Sequence, residues 1–344
     1  GSDDVDHIAE RLMQSIRKPF YVDGSPVAIH ASLGIVVSPK DGADVPDLLR
    51  NLELALDRAK AQGGNGYVFF DNTLAKTAEK RQHLENDLRR AMREHEFQLY
   101  FQPIIDLAGN RLAGAEALIR WPHPERGMVP PDAFIPLAEE IGLIDEIGLW
   151  TLEAACAKLA QWQREGIDRY ISVNVSARQI PDGLPAVILS EIIEHHGIDP
   201  ARLALEITEG VLMVDVNKAL TWLDAVRARG FRIFLDDFGT GYSSLSYLKR
   251  FPIDSLKIDK SFVHDMSEDS SDRALIEAVI AMARSLGMKV IAEGVETAEQ
   301  LSLLRGMNCH YGQGYLFSKA VPSEQFEAAA SRIDELLGHT PGAV

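Results

Sequence analysis

A chain of 344 residues has room for roughly two domains of ~150 residues, or for one large barrel with an appendage. Hydrophobic residues at 46% and charged residues at 25% fit a globular protein, and a net charge of −16 disfavours nucleic acid or an anionic membrane surface as partner. The two cysteines, Cys156 and Cys309, form no C-x-x-C pair, so neither a zinc knuckle nor a disulfide framework is expected, and a reducing cytoplasmic compartment fits best.

Residues 27–37 (VAIHASLGIVV) read as a strand. From Pro46 the apolar residues Leu48, Leu49, Leu52, Ala55, Leu56 and Ala59 recur at helical spacing, until Gly63-Gly64 stops the pattern. Residues 66–71 (GYVFFD) read as another strand. Residues 1–75 thus form a small α/β piece, and 76–96 a charged helical linker. No apolar run of ~20 residues occurs, so no membrane-spanning helix is expected in this chain.

From residue 97 to 336 the rhythm changes, and 337–344 is a tail. Short apolar strands, FQLYFQPI, LAGAEALIRW, YISVNVS, LALEIT, RIFLDD, SLKID, KVIAEG and GYLF, alternate with helices that include 149–163, 185–195, 216–229, 271–286 and 298–307. Repeated strand–helix units imply a parallel sheet, and their number and length match an α/β, TIM-like (β/α)8 barrel. An open doubly wound sheet is the competing architecture, but its G-x-G-x-x-G signal is absent.

In a barrel of this kind the chemistry sits at the C-terminal ends of the strands. Those ends carry Glu116, Asn174, Glu206, the adjacent pair Asp236-Asp237, Lys257 with Asp259, Glu293 with Glu296, and Gln313 at the start of the eighth strand. A buried carboxylate is costly unless paired or metal-bound, and one lysine cannot satisfy five or more. Carboxylate and amide oxygens suit Mg²⁺ or Mn²⁺; without His or Cys in the set, zinc is disfavoured. Any one of these acids taken alone reads as a solvated rim residue, Asn174 as a turn cap, and Lys257 as a surface partner of Asp259. Their recurrence on successive strands favours a site.

The segment GAEALIRW, together with YFQPI, FIPLAEEIGLI, SVNVSARQ, LEITEG, LDDFGTGYSSLSYLKRFPIDSLKIDKSFV, VIAEGVET and YGQGYLFSKA, resembles the EAL domain, the bacterial cyclic di-GMP phosphodiesterase family. Residues 1–72 resemble the C-terminal part of a GGDEF domain, but the G-G-D-E-F signature is nowhere in the chain, so cyclase activity is not expected. The resemblance implies a barrel with one antiparallel strand and hydrolysis of cyclic di-GMP to linear 5′-pGpG. It implies two Mg²⁺ or Mn²⁺ per site held by Glu116, Asn174, Glu206, Asp236, Asp237 and Glu293, with Asp236 bridging. Lys257 then orients water or stabilises charge, Glu116 and Glu293 complete the catalytic set, and Glu293 is the runner-up general base. Gln102, Leu118, Arg120, Asp259, Glu296 and Gln313 contact substrate, and Glu209 anchors the loop 238–248, where Gly239 and Gly241 allow a tight path. The family further implies a homodimer through the barrel and a longer parent protein with a sensor or membrane segment upstream. The alternative is a catalytically silent cyclic di-GMP receptor.

Overall fold

The computed structural model describes residues 2–239 and 248–338. The expected loop at 238–248, with Gly241, Tyr242, Ser243 and Ser244, therefore lies outside the described residues from 240 to 247. The chain divides into two compact units, Gly1–Asp87 and Leu88–Val344.

The first unit opens with helix α1 (Ser2–Ile16), followed by a hairpin of β1 (Phe20–Val22) and β2 (Ser25–Val27). Asp23 and Gly24 make its two-residue turn, both at positive φ (47° and 79°), which matches the twist of the strands. Strand β3 (Leu33–Ile35) then pairs in parallel with β4 (Tyr67–Phe69), and helix α2 (Val45–Ala61) crosses between them. The segment read as one strand at 27–37 is thus two short ones, because its first end pairs with β1 and its second with β4. Gly34 lets α2 lie directly on β3: a Cβ there would stand 2.5 Å from the Leu52 carbonyl oxygen. Helix α3 (Asn72–Arg93) runs through the expected linker and out of this unit.

The second unit is a closed eight-stranded barrel. Its strands are β5 (Gln98–Asp106), β6 (Arg111–His123), β8 (Tyr170–Asn174), β9 (Leu203–Thr208), β10 (Arg232–Phe238), β11 (Ser255–Ile258), β12 (Lys289–Ala292) and β13 (Tyr311–Gly312), in that order around the wall. Short β7 (Gly127–Val129) extends β6, and β14 (Val321–Pro322) pairs with β5. Within the barrel β5 alone runs antiparallel to its neighbours; it closes the ring between β6 and β13. Around the wall lie α4 (Pro131–Glu140), α5 (Ile144–Arg164), α6 (Ala186–His196), α7 (Glu209–Val214), α8 (Val216–Arg227), α9 (Lys260–Asp265), α10 (Ser270–Ser285), α11 (Ala298–Gly306) and α12 (Phe326–Leu336). Strands covered on both faces are buried along their length, as in Leu203–Ile207, which is apolar at every position but Glu206. One core lies between strands and helices, where α5 contributes Leu152, Ala155, Leu159 and Trp162. A second, inside the barrel, is a layer of Ile104, Tyr170, Ala204, Phe234 and Ile291.

The eighth strand differs from the expectation. Apolar GYLF reads as a strand, but the strand is Tyr311–Gly312 and residues 314–317 turn. Gly314 passes so close to Val295 that a Cβ would meet its backbone at 2.2 Å, and Leu316 N–H donates to the Val295 carbonyl. Gln313 therefore ends the strand rather than starting it, which brings its side chain to the same rim as the other polar residues.

One carboxylate staples the last helix to the barrel wall. Glu327 of α12 accepts from Trp162 Nε1 at 2.7 Å and from Arg169 Nη1 at 2.8 Å. Burial opposes its ionisation, but these two donors hold its carboxyl below the usual glutamate value. A depressed folded pKa means stability that is present above the unfolded value and lost as pH falls through the folded one. The Glu327 side chain is 41% exposed and solvent screens the contact, so Glu327→Gln is expected to cost only about 0.5–1 kcal/mol at pH 7, with the difference from the parent shrinking as pH drops below the range of a free glutamate. Urea midpoints at a series of pH values check this.

Candidate active site

The barrel's inward positions are set by strand alternation and register. Gln102 on β5 faces Glu116 on β6; Glu206 on β9 is level with Asn174 on β8 and with Phe234 on β10. Each strand thus delivers one polar side chain to the C-terminal mouth.

Lys257 is the hub. Its Nζ lies 2.6 Å from Glu206 Oε2, 2.7 Å from Glu293 Oε1, 3.3 Å from Asp236 Oδ1 and 3.5 Å from Glu116 Oε2, and its side chain is 1% exposed. Glu116 is held from the other side: Asn174 Nδ2 donates to Oε1 at 2.9 Å and Gln313 Nε2 to Oε2 at 2.6 Å. Gln313 Nε2 also approaches Gln102 Oε1 at 3.1 Å, and Gln102 Nε2 donates to the Ser318 carbonyl. The structure thus gathers Glu116, Asn174, Glu206, Asp236, Lys257, Glu293, Gln102 and Gln313 into one network.

Its electrostatics follow from four carboxylates around one ammonium. Burial disfavours the charge on Lys257, but the surrounding carboxylates overcome this and hold its pKa well above the usual lysine value. Burial pushes the Glu206 carboxyl well above the usual range, with Glu116 and Asp236 adding to the push against the pull of Lys257. Burial raises Glu293 to about 7. Glu116 is also opposed by burial, yet Lys257 and the Gln313 and Asn174 amides bring it below the usual value. Four negative charges on one cation are unstable at neutral pH, so the cluster either keeps protons or needs further cations.

Asp237 stands apart from this hub. It is exposed, sits at φ 53°, and marks the point where β10 loses regular register with β11. Its N–H donates to Asp236 Oδ1 at 2.9 Å, and partial burial, then Asp236 and Asp259, push its carboxyl up. Leaving the strand conformation here is what allows two successive carboxylates at one rim, where a regular strand would point them to opposite faces.

The remaining expected residues lie around the network. Asp259 caps α9 by accepting from Ser261 N–H, Glu296 is exposed, and Glu209 opens α7 at the end of β9. Arg120 donates to the Ile119 carbonyl and lies 5.7 Å over the Tyr100 ring. Arg120 and Leu118 line a cavity of about 410 Å³ that reaches Asn174. That cavity also includes Asp132, Glu139 and Gln179, none of them singled out from the sequence. The segments FIPLAEE and SVNVSARQ contain Glu139 and Gln179, and Asp132 lies two residues before the first of them, but no spacing rule marked those positions.

The donor set fits divalent cations. Glu206 Oε1 and Gln313 Oε1 are buried with no hydrogen-bond partner, and hard oxygen donors converge on the same point. Among the described residues no three acidic, histidine or cysteine side chains already form a metal cage. The carboxylates converge on the Lys257 ammonium instead.

Comparison with known proteins gives the following. The EAL domain family matches residues 85–320, and the diguanylate cyclase GGDEF domain matches residues 1–66. The chain is 39% identical over 329 residues to a Pseudomonas aeruginosa protein named bifunctional diguanylate cyclase/cyclic di-GMP phosphodiesterase MucR, covering 95% of this chain and 48% of that protein. It is 40% identical over 321 residues to cyclic di-GMP phosphodiesterase NbdA of the same organism, covering 93% of this chain and 41% of that one. The chain thus spans less than half the length of these relatives. Among solved structures, the PaMucR phosphodiesterase in complex with c-di-GMP superimposes with a TM-score of 0.69 at 40% identity, over 71% of this chain and 99% of that one.

Proposed function

The chain belongs to the EAL domain family, and from that premise we propose that it is a metal-dependent phosphodiesterase that hydrolyses cyclic di-GMP to linear 5′-pGpG in the bacterial cytoplasm. The observation that carries this reading is the convergence of Glu116, Glu206, Asp236 and Glu293 on buried Lys257, with Asn174 and Gln313 bracing Glu116. The family is metal-dependent as a rule; here Glu116, Asn174, Glu206, Asp236, Asp237 and Glu293 would hold two Mg²⁺ or Mn²⁺. Bound there, the cations supply positive charge to the scissile phosphodiester and to its attacking water.

The chain's own residues do the rest. Lys257 donates toward the phosphoryl oxygens, where negative charge grows as water attacks phosphorus and the bond to the 3′ oxygen breaks. Glu293, whose carboxyl lies beside Lys257 at the mouth, would take the water's proton. Asn174 and Gln313 fix the rotamer of Glu116. Arg120 offers a planar fork to the phosphate and, with Leu118, walls the cavity beside Asn174 where a guanine would lie. Gln102, Asp259 and Glu296 complete the substrate contacts, Glu209 the anchorage of the following loop, and a homodimer through the barrel the assembly.

Chromatography of cyclic di-GMP incubated with the protein and Mg²⁺ or Mn²⁺ tests the reading. Appearance of pGpG that stops on chelation is the expected result. Tight binding without any pGpG would establish the silent receptor instead. Asp237→Asn supplies a finer check, since Asn is at home in the left-handed region and the fold should survive. We expect weaker metal binding, seen as lower turnover and a shift of half-saturation to higher Mn²⁺, and an unchanged melting temperature in chelator.

A further inference from the structure

The opposite end of the barrel is basic. Arg111, Arg232 and Lys289 begin β6, β10 and β12, Arg202 immediately precedes β9, and Tyr170 and Tyr311 begin β8 and β13. These residues, with Asp168 and Arg169, line an open cavity of about 190 Å³. Three of its cations have carboxylate partners: Arg111 with Asp106 at 3.5 Å, Arg202 with Asp168 at 3.2 Å and Arg169 with Glu327 at 2.8 Å. Arg232 and Lys289 have none among the described residues. The Arg232 guanidinium lies 5.4 Å over the Tyr170 ring, and Lys289 Nζ donates to Tyr311 Oη at 2.8 Å. The Tyr170 hydroxyl, on a side chain 5% exposed, has no hydrogen-bond partner.

A chain with a net charge of −16 has carboxylates to spare, yet half-buried Arg232 and exposed Lys289 are given none as a partner, while Asp168 in the same cavity goes to Arg202. We infer that this cavity is a binding site for a phosphate-class anion: inorganic diphosphate, or the phosphomonoester of a nucleotide. A guanidinium resting over a ring has less freedom to lose on meeting a multi-oxygen anion. The apolar layer of Ile104, Phe234 and Ile291 closes the cavity's inner side and limits screening by water. The space takes one or two phosphoryl groups, leaving a nucleoside to project into solvent. The site is separate from the carboxylate mouth: Tyr170 and Asn174 are at opposite ends of β8, about 13 Å apart along the strand.

Calorimetric titration of the whole chain at low ionic strength, with chelator present, tests this with sodium diphosphate, GMP and guanosine. We expect saturable one-site binding of diphosphate or GMP and none of guanosine; whichever of the two anions binds tighter identifies the source. Affinity should fall at least tenfold in the Arg232→Gln, Lys289→Gln double variant. It should stay within twofold in Lys218→Gln, exposed on α8, and in Arg120→Gln, at the mouth. Lys289→Arg should keep binding, and the single Lys289→Gln carries the test if the double variant melts early. Absence of saturable binding by both anions overturns the inference. So does binding that Arg120→Gln abolishes and the double variant retains, since the anion then sits at the mouth.

Discussion

Lys257→Met is expected to destabilise the metal-free protein by about 3–5 kcal/mol, because it strips the cation from a buried set of carboxylates and leaves them uncompensated. Glu206 and Glu293 lose their 2.6 and 2.7 Å donor, and both already titrate above the usual range. The sign of the pH dependence follows. Carboxyls with raised folded pKa values contribute stability that is full below their unfolded values and lost as pH rises through the folded ones. The variant should therefore approach the parent near pH 4.5 and diverge from it toward pH 8. Mn²⁺ should recover more stability in the variant than in the parent, since a dication takes over the ammonium's place among the oxygens. Urea midpoints in chelator and in Mn²⁺, at both pH values, measure this. Equal midpoints for parent and variant in chelator at pH 8 would show that the four contacts contribute nothing net.

Glu116→Gln addresses the chemistry rather than the fold. The carboxylate receives two amide donors, one on each oxygen, and faces Lys257 as well. An amide in its place has one acceptor, so its NH₂ must point at another NH₂ group. The expected outcome is a fall in cyclic di-GMP hydrolysis of about 10²–10³-fold or more, the scale of losing one preorganised electrostatic group. The melting temperature should drop by only a few degrees, because the residue is isosteric and the apolar layers are untouched. Turnover within tenfold of the parent would remove Glu116 from the catalytic set. Comparing the two variants separates roles: Lys257→Met should show in both stability and rate, Glu116→Gln chiefly in rate.

The polar mouth was legible because barrel strands are otherwise apolar, so each acid or amide at a strand end stood out in its local context. Glu206 and Asp236 were marked by their place at the ends of apolar strands. The centrality of Lys257 was less accessible. A lysine beside Asp259 reads equally well as a surface pair, and only register on four other strands reveals that it faces four carboxylates. The eighth strand was misplaced because GYLF is apolar in sequence, while the structure uses that run for a turn against Val295. The backbone reversal at Asp237 left no trace either, since Asp is common both in strand ends and in turns. The basic end of the barrel was invisible for the opposite reason: a lone Arg or Lys starting a strand is ordinary, and the grouping appears only when distant strands close into a ring.

That ring has a consequence for how the protein is made. β5 lies between β6, its immediate successor, and β13, whose residues are added at the far end of the barrel sequence. From the completion of β6 until Gly312 emerges, β5 keeps an unpaired edge. At ~5–20 residues per second that interval lasts roughly 10–40 s for the nascent chain. An open edge for that long is a template for pairing with another chain. Release of chains truncated before Tyr311 is therefore expected to yield aggregates rather than partial barrels, making β13, the two-residue strand that closes the ring, the step that commits the molecule to its closed form.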